Sequence, residues 1–223
     1  MPGDRERNWI WIVGAPLVRA LMALLFRVRI EGAGNVPARG PALLAPNHVS
    51  VLDGPMLAAV TGTAGRRAVR NIVAAEVFTG FFGWVLRQAR QIPIRRGVGD
   101  TGALDEALQA LRDGTCVGIF PEGRVNDDPS AGLQRIRSGL TRLALPTGAA
   151  VIPVGTWGAQ RRWPRAGVVR ARWWRRPTLV FVFGAPLVPG PVGSESPLAF
   201  RQRYLVELER IVRRARTLGG DAV

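Results

Sequence analysis

Residues 42–53 read ALLAPNHVSVLD, and this stretch predicts one strand, one polar loop and the start of one helix. Residues 42–45 form a short apolar run that Pro46 ends, as at the end of a buried strand. Ser50 or Asp53 can cap a helix that begins near residue 53. The stretch therefore predicts the first half of a βαβ unit.

The same alternation continues along the rest of the chain. Other apolar runs predict strands, and stretches with apolar residues at helical spacing predict helices between them. Such alternation implies an α/β fold with a mostly parallel mixed sheet that helices cover on both faces. The further predicted strands are 71–74, 91–94, 115–120, 149–154 and 178–183, and the further predicted helices are about 76–88, 103–111, 139–145 and 198–216.

The first 30 residues are predicted to form an amphipathic, membrane-associated segment. Residues 9–26 are almost continuously apolar, but Gly14, Pro16 and Arg19 interrupt them. A spanning helix needs about 20 apolar residues and tolerates a central charge poorly, so we expect an interfacial helix. A buried core helix is the alternative. The residues expected to enter the acyl region are Trp9, Trp11, Leu21, Leu24 and Leu25, and those expected to reach lipid phosphates are Arg5, Arg7, Arg27 and Arg29.

The composition restricts the partners and the chemistry. The 223 residues carry 31 basic side chains, all arginine, and 16 acidic ones, which gives a net charge of +15. This charge favours an anionic partner: a nucleic acid, a phospholipid surface or a phosphorylated substrate. Cys116 and His48 are the single cysteine and the single histidine. A disulfide within the chain is therefore impossible, a Cys/His zinc site is excluded, and a cytosolic folded part is expected.

Unusually polar residues follow three of the predicted strands. They are Asn47 and His48, then Arg95 and Arg96, and then the sequence PEGR at residues 121–124. Ligand sites in open α/β sheets form at the carboxyl ends of the strands. We therefore expect these three positions to converge on one cleft.

His48 is the candidate general base, because only an imidazole has an unshifted pKa near neutrality. Asp53 follows five residues later and would point about 140° away from it on one continuous helix. The two side chains can meet only if His48 lies in the loop and Asp53 in the first turn of the helix. A bound carboxylate would then fix the tautomer and stabilise the imidazolium. The alternatives are a loop histidine without a chemical role and an aspartate that only caps a helix.

The arginines after the strands are candidates for binding a phosphate. The guanidinium groups of Arg96 and Arg124 can each hold a phosphate through two hydrogen bonds. Glu122 would repel a phosphate, so it would orient one of these arginines or accept a bond from a substrate hydroxyl. Its alternative is a surface turn with a local ion pair.

A covalent enzyme intermediate is not favoured by the sequence. Cys116 lies inside an apolar strand, where a buried and inert thiol is expected. No GxSxG elbow occurs to expose a serine. Direct attack by an activated hydroxyl is therefore preferred.

Four segments together resemble a known family. NHVSVLD (47–53), IPIRRG (92–97), FPEGR (120–124) and VIPV (151–154) resemble, in this order, the sequence blocks of the glycerolipid acyltransferases, in particular the 1-acylglycerol-3-phosphate acyltransferases. The resemblance covers about residues 30–186 and identifies residues 31–223 as the acyltransferase domain.

The resemblance implies a reaction and its participants. His48 and Asp53 would be the catalytic pair that moves an acyl group from acyl-CoA or acyl carrier protein to a lysophosphatidic acid, which gives phosphatidic acid. It implies no metal and no cofactor beyond the thioester. From the N-terminal segment and the net charge, we expect a peripheral or monotopic enzyme at the cytoplasmic face of an anionic phospholipid membrane. Substrate contacts are expected at Asn47, Arg96, Pro121, Glu122, Gly123 and Arg124, and the acyl pocket at Ile152 and Pro153.

Two departures from the family pattern concern the acceptor. Arg124 stands one position early after Gly123, and Arg95 stands where an acid is common. Another lysolipid or an acylated amino-acid lipid is therefore an alternative acceptor.

Residues 157–176 contain four tryptophans, seven arginines and no acid. They are expected to face anionic lipid, with indoles at the headgroup level. A nucleic-acid-binding protein would use the same residues to stack bases and hold phosphates. That alternative leaves the four sequence blocks unexplained, so no nucleic acid is expected. An inactive lipid-binding scaffold would not need both His48 and Asp53.

Overall fold

The computed structural model describes residues 8–64, 67–95, 100–167, 175–191 and 193–221. In this part of the chain, strands and helices alternate as the apolar pattern predicts. Strands β1 to β7 are Arg27–Glu31, Ala42–Pro46, Arg70–Ala74, Ile92–Ile94, Cys116–Gly118, Ala150–Trp157 and Thr178–Phe183. Helices α1 to α6 are Ala15–Leu25, Asp53–Thr63, Gly80–Gln88, Thr101–Arg112, Gly139–Thr147 and Pro197–Leu218.

The described strands form one seven-stranded sheet in the order β1-β7-β6-β2-β5-β3-β4. The run from β6 to β4 is parallel throughout. Strand β7 pairs antiparallel with β6, and β1 pairs parallel with β7. The prediction of an α/β fold with a mostly parallel mixed sheet is therefore confirmed.

Strand β2 is buried along its whole length because helices cover both faces of the sheet. Leu43 and Ala45 contact the core on the side of α4, α5 and α6. Ala42 and Leu44 contact the core on the side of α1 and α2. This period of two follows from the alternation of side chains along a strand. The loop after β2 therefore begins at a fixed point between two packed layers.

Several elements differ from the predictions, and β5 is shorter than predicted, at Cys116–Gly118. Strand β1 was not predicted, because it is an edge strand whose sequence RVRIE alternates charged with apolar residues and is only partly buried. Strand β6 runs three residues past residue 154, since it continues to pair with β7. Helix α3 begins at Gly80 rather than near residue 76, because a 3-10 turn at Ala75–Val77 precedes it.

Helix α1 packs one face against α2. Trp11, Ala15 and Met22 are buried, and a Cβ placed on Gly62 would lie 3.0 Å from the Cβ of Ala15. The expectation that Trp11 enters lipid is therefore wrong: the core-helix alternative holds for this face. Leu25 is also partly buried against the core.

The opposite face of the N-terminal helical segment is apolar and exposed, which the interfacial-helix prediction requires. No helix among the described residues is long and apolar enough to cross a bilayer. The predicted boundary between residues 30 and 31 falls within β1. The exposed large apolar residues of this face are Trp9, Ile12, Val13, Leu17, Leu21 and Leu24.

Candidate active site

The loop after β2 brings His48 and Asp53 together. His48 Nδ1 lies 3.0 Å from Asp53 Oδ2, and the aspartate is fully buried as the first residue of α2. The same carboxylate oxygen accepts the backbone N–H groups of Val49 at 2.7 Å and Ser50 at 2.8 Å. Leu52 is the N-cap of α2, without a side-chain bond. The helix-cap alternative for Asp53 is therefore wrong, because its carboxylate folds back onto the loop.

This arrangement fixes the state of the imidazole. A carboxylate oxygen can only accept, so Nδ1 of a neutral His48 donates its proton to Asp53. Nε2 then carries the lone pair, as a general base requires. The ring lies against the ring of Phe120, with 4.1 Å between their centroids, and the side chain is 11% exposed. The geometry leaves a small opening toward the imidazole.

The backbone of His48 is held by the loop that follows β5. His48 N–H donates to Glu122 Oε1 at 3.0 Å, and His48 C=O accepts from Asn126 N–H at 2.7 Å. The first and third sequence blocks therefore meet, as expected from the positions after parallel strands.

Glu122 is a buried positioning residue. Its second carboxylate oxygen accepts the backbone N–H of Gln134 at 3.3 Å. Burial raises the pKa of the Glu122 carboxyl above its usual value, against the opposing effect of these hydrogen bonds. The surface ion-pair alternative is therefore wrong. Glu122 does not orient Arg124 either, because both hydrogen bonds of its carboxylate come from main-chain N–H groups, those of His48 and Gln134.

A tight turn places Glu122 where it can reach His48. Gly123 N–H donates to Phe120 C=O at 2.9 Å across Pro121, whose fixed φ suits the second position of such a turn. Gly123 has φ +74°, and the guanidinium of Arg137 donates from Nε to Glu122 C=O at 3.2 Å. A Cβ on Gly123 would lie 2.6 Å from that Nε, so glycine is required both by conformation and by space.

Of the arginines that follow the strands, Arg95 and Arg124 are described and both are exposed. Arg124 is exposed, and its Nε donates to Gln134 Oε1 at 2.7 Å. Arg95 is also exposed, and its N–H donates to Asp100 Oδ2 at 2.9 Å. Arg96 lies outside the described residues.

Asn47 was expected to contact the substrate, but its side-chain amide bonds the backbone of Thr156 instead. Its Nδ2 donates to Thr156 C=O at 3.1 Å, and its Oδ1 accepts from Thr156 N–H at 2.7 Å. Asn47 is 2% exposed, so its amide joins the ends of β2 and β6. Ile152 and Pro153 are buried inside β6.

Sequence reasoning missed several residues that hold the site. Asn126 N–H donates to the carbonyl of His48, and Gln134 N–H donates to the carboxylate of Glu122, as described above. Ser50 Oγ donates to Trp163 C=O at 2.7 Å, and Tyr204 Oη donates to Ala45 C=O at 2.9 Å from α6. Burial raises the pKa of Tyr204 well above its usual range, and the charge of Glu122 acts in the same direction. These partners are distant in sequence, so no local pattern marks them.

The described part of the Trp/Arg-rich segment packs on the protein itself. Trp157 is buried and donates to Asp221 Oδ2 at 2.6 Å. Trp163 lies against Phe26 with 6.0 Å between ring centroids. Trp157 therefore does not face lipid, whereas Trp163 is only partly buried; residues 168–174 lie outside the described part, as do Arg5 and Arg7. Within the described ranges, no group of three His, Cys, Asp or Glu side chains could hold a metal.

Comparison with known proteins gives consistent results. Residues 27–157 match the acyltransferase family. Lyso-ornithine lipid O-acyltransferase of Pseudomonas aeruginosa is 35% identical over 140 residues, which are 62% of this chain and 50% of that protein. N-acylphosphatidylethanolamine synthase of Arabidopsis thaliana is 31% identical over 178 residues, or 73% of this chain and 62% of that protein. The chain spans about half the length of the first of these relatives.

A solved structure has a similar fold. The 1-acyl-sn-glycerophosphate (LPA) acyltransferase from Thermotoga maritima superposes with a TM-score of 0.73. The match covers 92% of this chain and 79% of that one, at 23% sequence identity. At this identity, the likeness describes the fold.

Proposed function

The chain belongs to the acyltransferase family, and from this we propose that it transfers a fatty acyl group to the free hydroxyl of 1-acylglycerol-3-phosphate, giving phosphatidic acid. The donor is an acyl thioester, either acyl-CoA or acyl carrier protein. The observation that carries the proposal is the 3.0 Å contact between His48 Nδ1 and Asp53 Oδ2, at the end of a central strand.

The proposed reaction uses His48 as base and then as acid. His48 Nε2 takes the proton of the acceptor hydroxyl while the hydroxyl oxygen attacks the thioester carbonyl carbon. The C–S bond of the resulting tetrahedral intermediate breaks, and the leaving thiolate receives the proton from the imidazolium. Asp53 stabilises that imidazolium, as a buried carboxylate does in a catalytic triad. The protons balance, and the enzyme is regenerated.

The surroundings of His48 support this proposal. The imidazole of His48 packs against the ring of Phe120. The backbone of His48 is held at its N–H by the carboxylate of Glu122 and at its C=O by the N–H of Asn126. Preorganised groups of this kind lower the cost of reaching the reactive geometry. The acceptor phosphate is proposed to bind Arg124, whose exposed side chain follows the same turn, together with Arg96.

A second acceptor is favoured by one observation. The relative with 35% identity is named as acting on lyso-ornithine lipid, whose name includes an amino acid. Another lysolipid or an acylated amino-acid lipid is therefore the alternative acceptor within the same chemistry.

We also propose that the enzyme is peripheral or monotopic at the cytoplasmic face of an anionic membrane. The exposed apolar face of the N-terminal helical segment and the net charge of +15 support this location. Vesicle flotation and oligonucleotide binding separate this proposal from the nucleic-acid alternative. Tight, salt-sensitive oligonucleotide binding without flotation would favour the alternative.

The test of the reaction is an acceptor panel with a radiolabelled acyl thioester. We expect wild type to acylate lysophosphatidic acid, and His48→Ala to lose that turnover by a factor of about 10³ or more. Turnover with a lyso amino-acid lipid but not with lysophosphatidic acid would select the second acceptor. Unchanged turnover in His48→Ala would exclude the mechanism.

A further inference from the structure

A basic cleft lies on the sheet edge away from His48. It has a volume of about 440 Å³ and is formed between α3, strand β3, the edge strand β4, and α4. The residues that line it include Arg70, Arg87 and Arg90, with Phe78 and Glu106. Arg70 begins β3 and Arg90 precedes β4, whereas His48 follows the end of β2. The lining does not include His48, Asp53, Phe120 or Glu122, so the cleft is separate from the candidate active site.

The cleft carries an excess of positive charge. Arg70 forms an ion pair with Glu106 and donates from Nε to Arg90 C=O at 2.7 Å. Arg87 donates to Phe78 C=O at 3.0 Å, which orients its guanidinium without neutralising it. Within the described residues, no hydrogen bond or ion pair engages the Arg90 side chain. Two guanidinium charges thus remain for an anionic ligand, and this group binds phosphate through paired hydrogen bonds.

Arg90 also has an unfavourable backbone conformation. With φ +54°, it is the one non-glycine residue in the left-handed region among the described residues. It follows the C-terminus of α3, where Arg90 N–H bonds Arg87 C=O and Gln91 N–H bonds Leu86 C=O, both at 2.9 Å. Glycine is the usual residue at this position of a helix end. An arginine there costs backbone energy, and such residues are enriched where a side chain has a binding role.

An exposed aromatic surface adjoins the cleft. Phe81 is 79% exposed, Phe82 47% and Trp84 40%, all on α3. Trp84 contacts Phe81 and also Trp9, with 5.7 Å and 5.9 Å between ring centroids, so this surface continues into the N-terminal helical segment. Trp84 and Arg87 are three residues apart and therefore neighbours on the helix surface. Aromatic rings beside arginines are the usual composition at the level of lipid headgroups.

We propose that this cleft binds the phosphate of an anionic phospholipid of the bilayer, with the acyl chains of that lipid against Phe81 and Trp84. Helix α3 is then a second membrane contact beside the N-terminal segment, and it uses a specific headgroup site. The site does not depend on acyl transfer, so His48→Ala binds vesicles as wild type does.

Flotation of the full chain with phosphatidylcholine vesicles that contain or lack phosphatidylglycerol tests the charge requirement. The double variant Arg87→Gln/Arg90→Gln should lose affinity for the anionic vesicles by about tenfold or more, since each arginine near such a surface contributes substantially. The matched control is Arg142→Gln/Arg213→Gln, two exposed arginines on α5 and α6. The affinity of this control for the anionic vesicles should stay within about twofold of the wild-type affinity, because these charges lie on the other face of the sheet and are screened. Equal losses of vesicle affinity in the two double variants would overturn the proposal that this cleft binds the lipid.

Single variants at Arg90 separate binding from folding. Arg90→Gly relaxes the left-handed backbone and should keep or raise the melting temperature, yet it should weaken flotation. Arg90→Lys keeps the charge without the planar fork, so it should also weaken flotation. Flotation of Arg90→Gly equal to that of wild type would overturn the proposal.

Protection from phenylglyoxal, followed by mass spectrometry at Arg90, identifies the source of the phosphate. Anionic vesicles should protect Arg90, whereas phosphatidylcholine vesicles and inorganic phosphate should not. Equal protection by inorganic phosphate would make the cleft a small-anion site and overturn the lipid assignment. Protection by an oligonucleotide, with none by vesicles, would overturn it as well.

Discussion

Oδ2 of Asp53 accepts Nδ1–H of His48 at 3.0 Å while the backbone N–H groups of the intervening loop converge on the same oxygen. The carboxylate thus organises the loop and orients the imidazole with one atom. The substitution Asp53→Asn can distinguish these two roles. Asparagine keeps an acceptor oxygen for the loop but loses the charge that would stabilise the imidazolium.

Asp53→Asn should retain the fold and lose turnover by about 10³ to 10⁴, since a neutral amide does not stabilise an imidazolium. Steady-state acylation and thermal unfolding followed by circular dichroism measure both effects. Asp105→Asn, an exposed change of the same kind on α4, is the control and should behave as wild type. Turnover of Asp53→Asn near the wild-type rate would show that Asp53 only shapes the loop.

The pH dependence of stability should change in Glu122→Gln. Burial raises the pKa of Glu122 above the ordinary value of a glutamate, so the folded state favours the protonated carboxyl. Such a group contributes stability below its unfolded pKa, and this contribution is lost as the pH rises through its folded pKa. The unfolding free energy of wild type, minus that of the variant, should therefore decrease from below pH 4.5 toward neutrality.

Urea unfolding at a series of pH values measures this difference. Glu209→Gln, an exposed change on α6, should give no comparable trend. A difference that increases with pH would mean that hydrogen bonding to the charged form outweighs burial.

Gly123→Ala should reduce both stability and turnover. The left-handed backbone at φ +74° costs about 1–2 kcal/mol for alanine, and the new Cβ would displace the Arg137 side chain that bonds Glu122 C=O. Gly148→Ala is the control, because Gly148 has φ +62° and nothing lies within 4 Å of a Cβ there. Chemical denaturation and acylation assays should show similar backbone strain in both variants and a loss of turnover confined to Gly123→Ala.

Asn47→Ala should destabilise the protein by about 2–4 kcal/mol, since it leaves the buried N–H and C=O of Thr156 without their partner. Asn35→Ala is the control. It removes a single bond of 3.0 Å to Phe183 C=O at the end of β7, and should cost about 1 kcal/mol. Turnover should fall further in Asn47→Ala than in the control, because His48 follows Asn47 directly. Equal unfolding free energies in the two variants would contradict the conclusion that the Asn47 amide stabilises the protein by joining the ends of β2 and β6.

The fold class and the family resemblance predicted from the sequence are both confirmed. Strand β7 has the predicted bounds because its apolar pattern depends on neighbours in the chain, and α2 begins at the predicted residue although no side chain caps it. Strand β1 has no such pattern, since an edge strand buries too little of either face. The roles of His48 and Asp53 remain predictions that the acylation assays test.

The sequence by itself determined the alternation of strands and helices and the loop between β2 and α2, whereas the contact of His48 with Asp53 depended on the conformation of that loop. Only the tertiary structure decided that Glu122 holds the backbone of His48 across 74 residues, and that Asn47 joins Thr156 across 109 residues. It also decided that Trp11 is buried while Trp9 is exposed. The physical reason is that apolar periodicity specifies which face of an element is buried, whereas strand order and packing determine which distant polar groups that burial brings together.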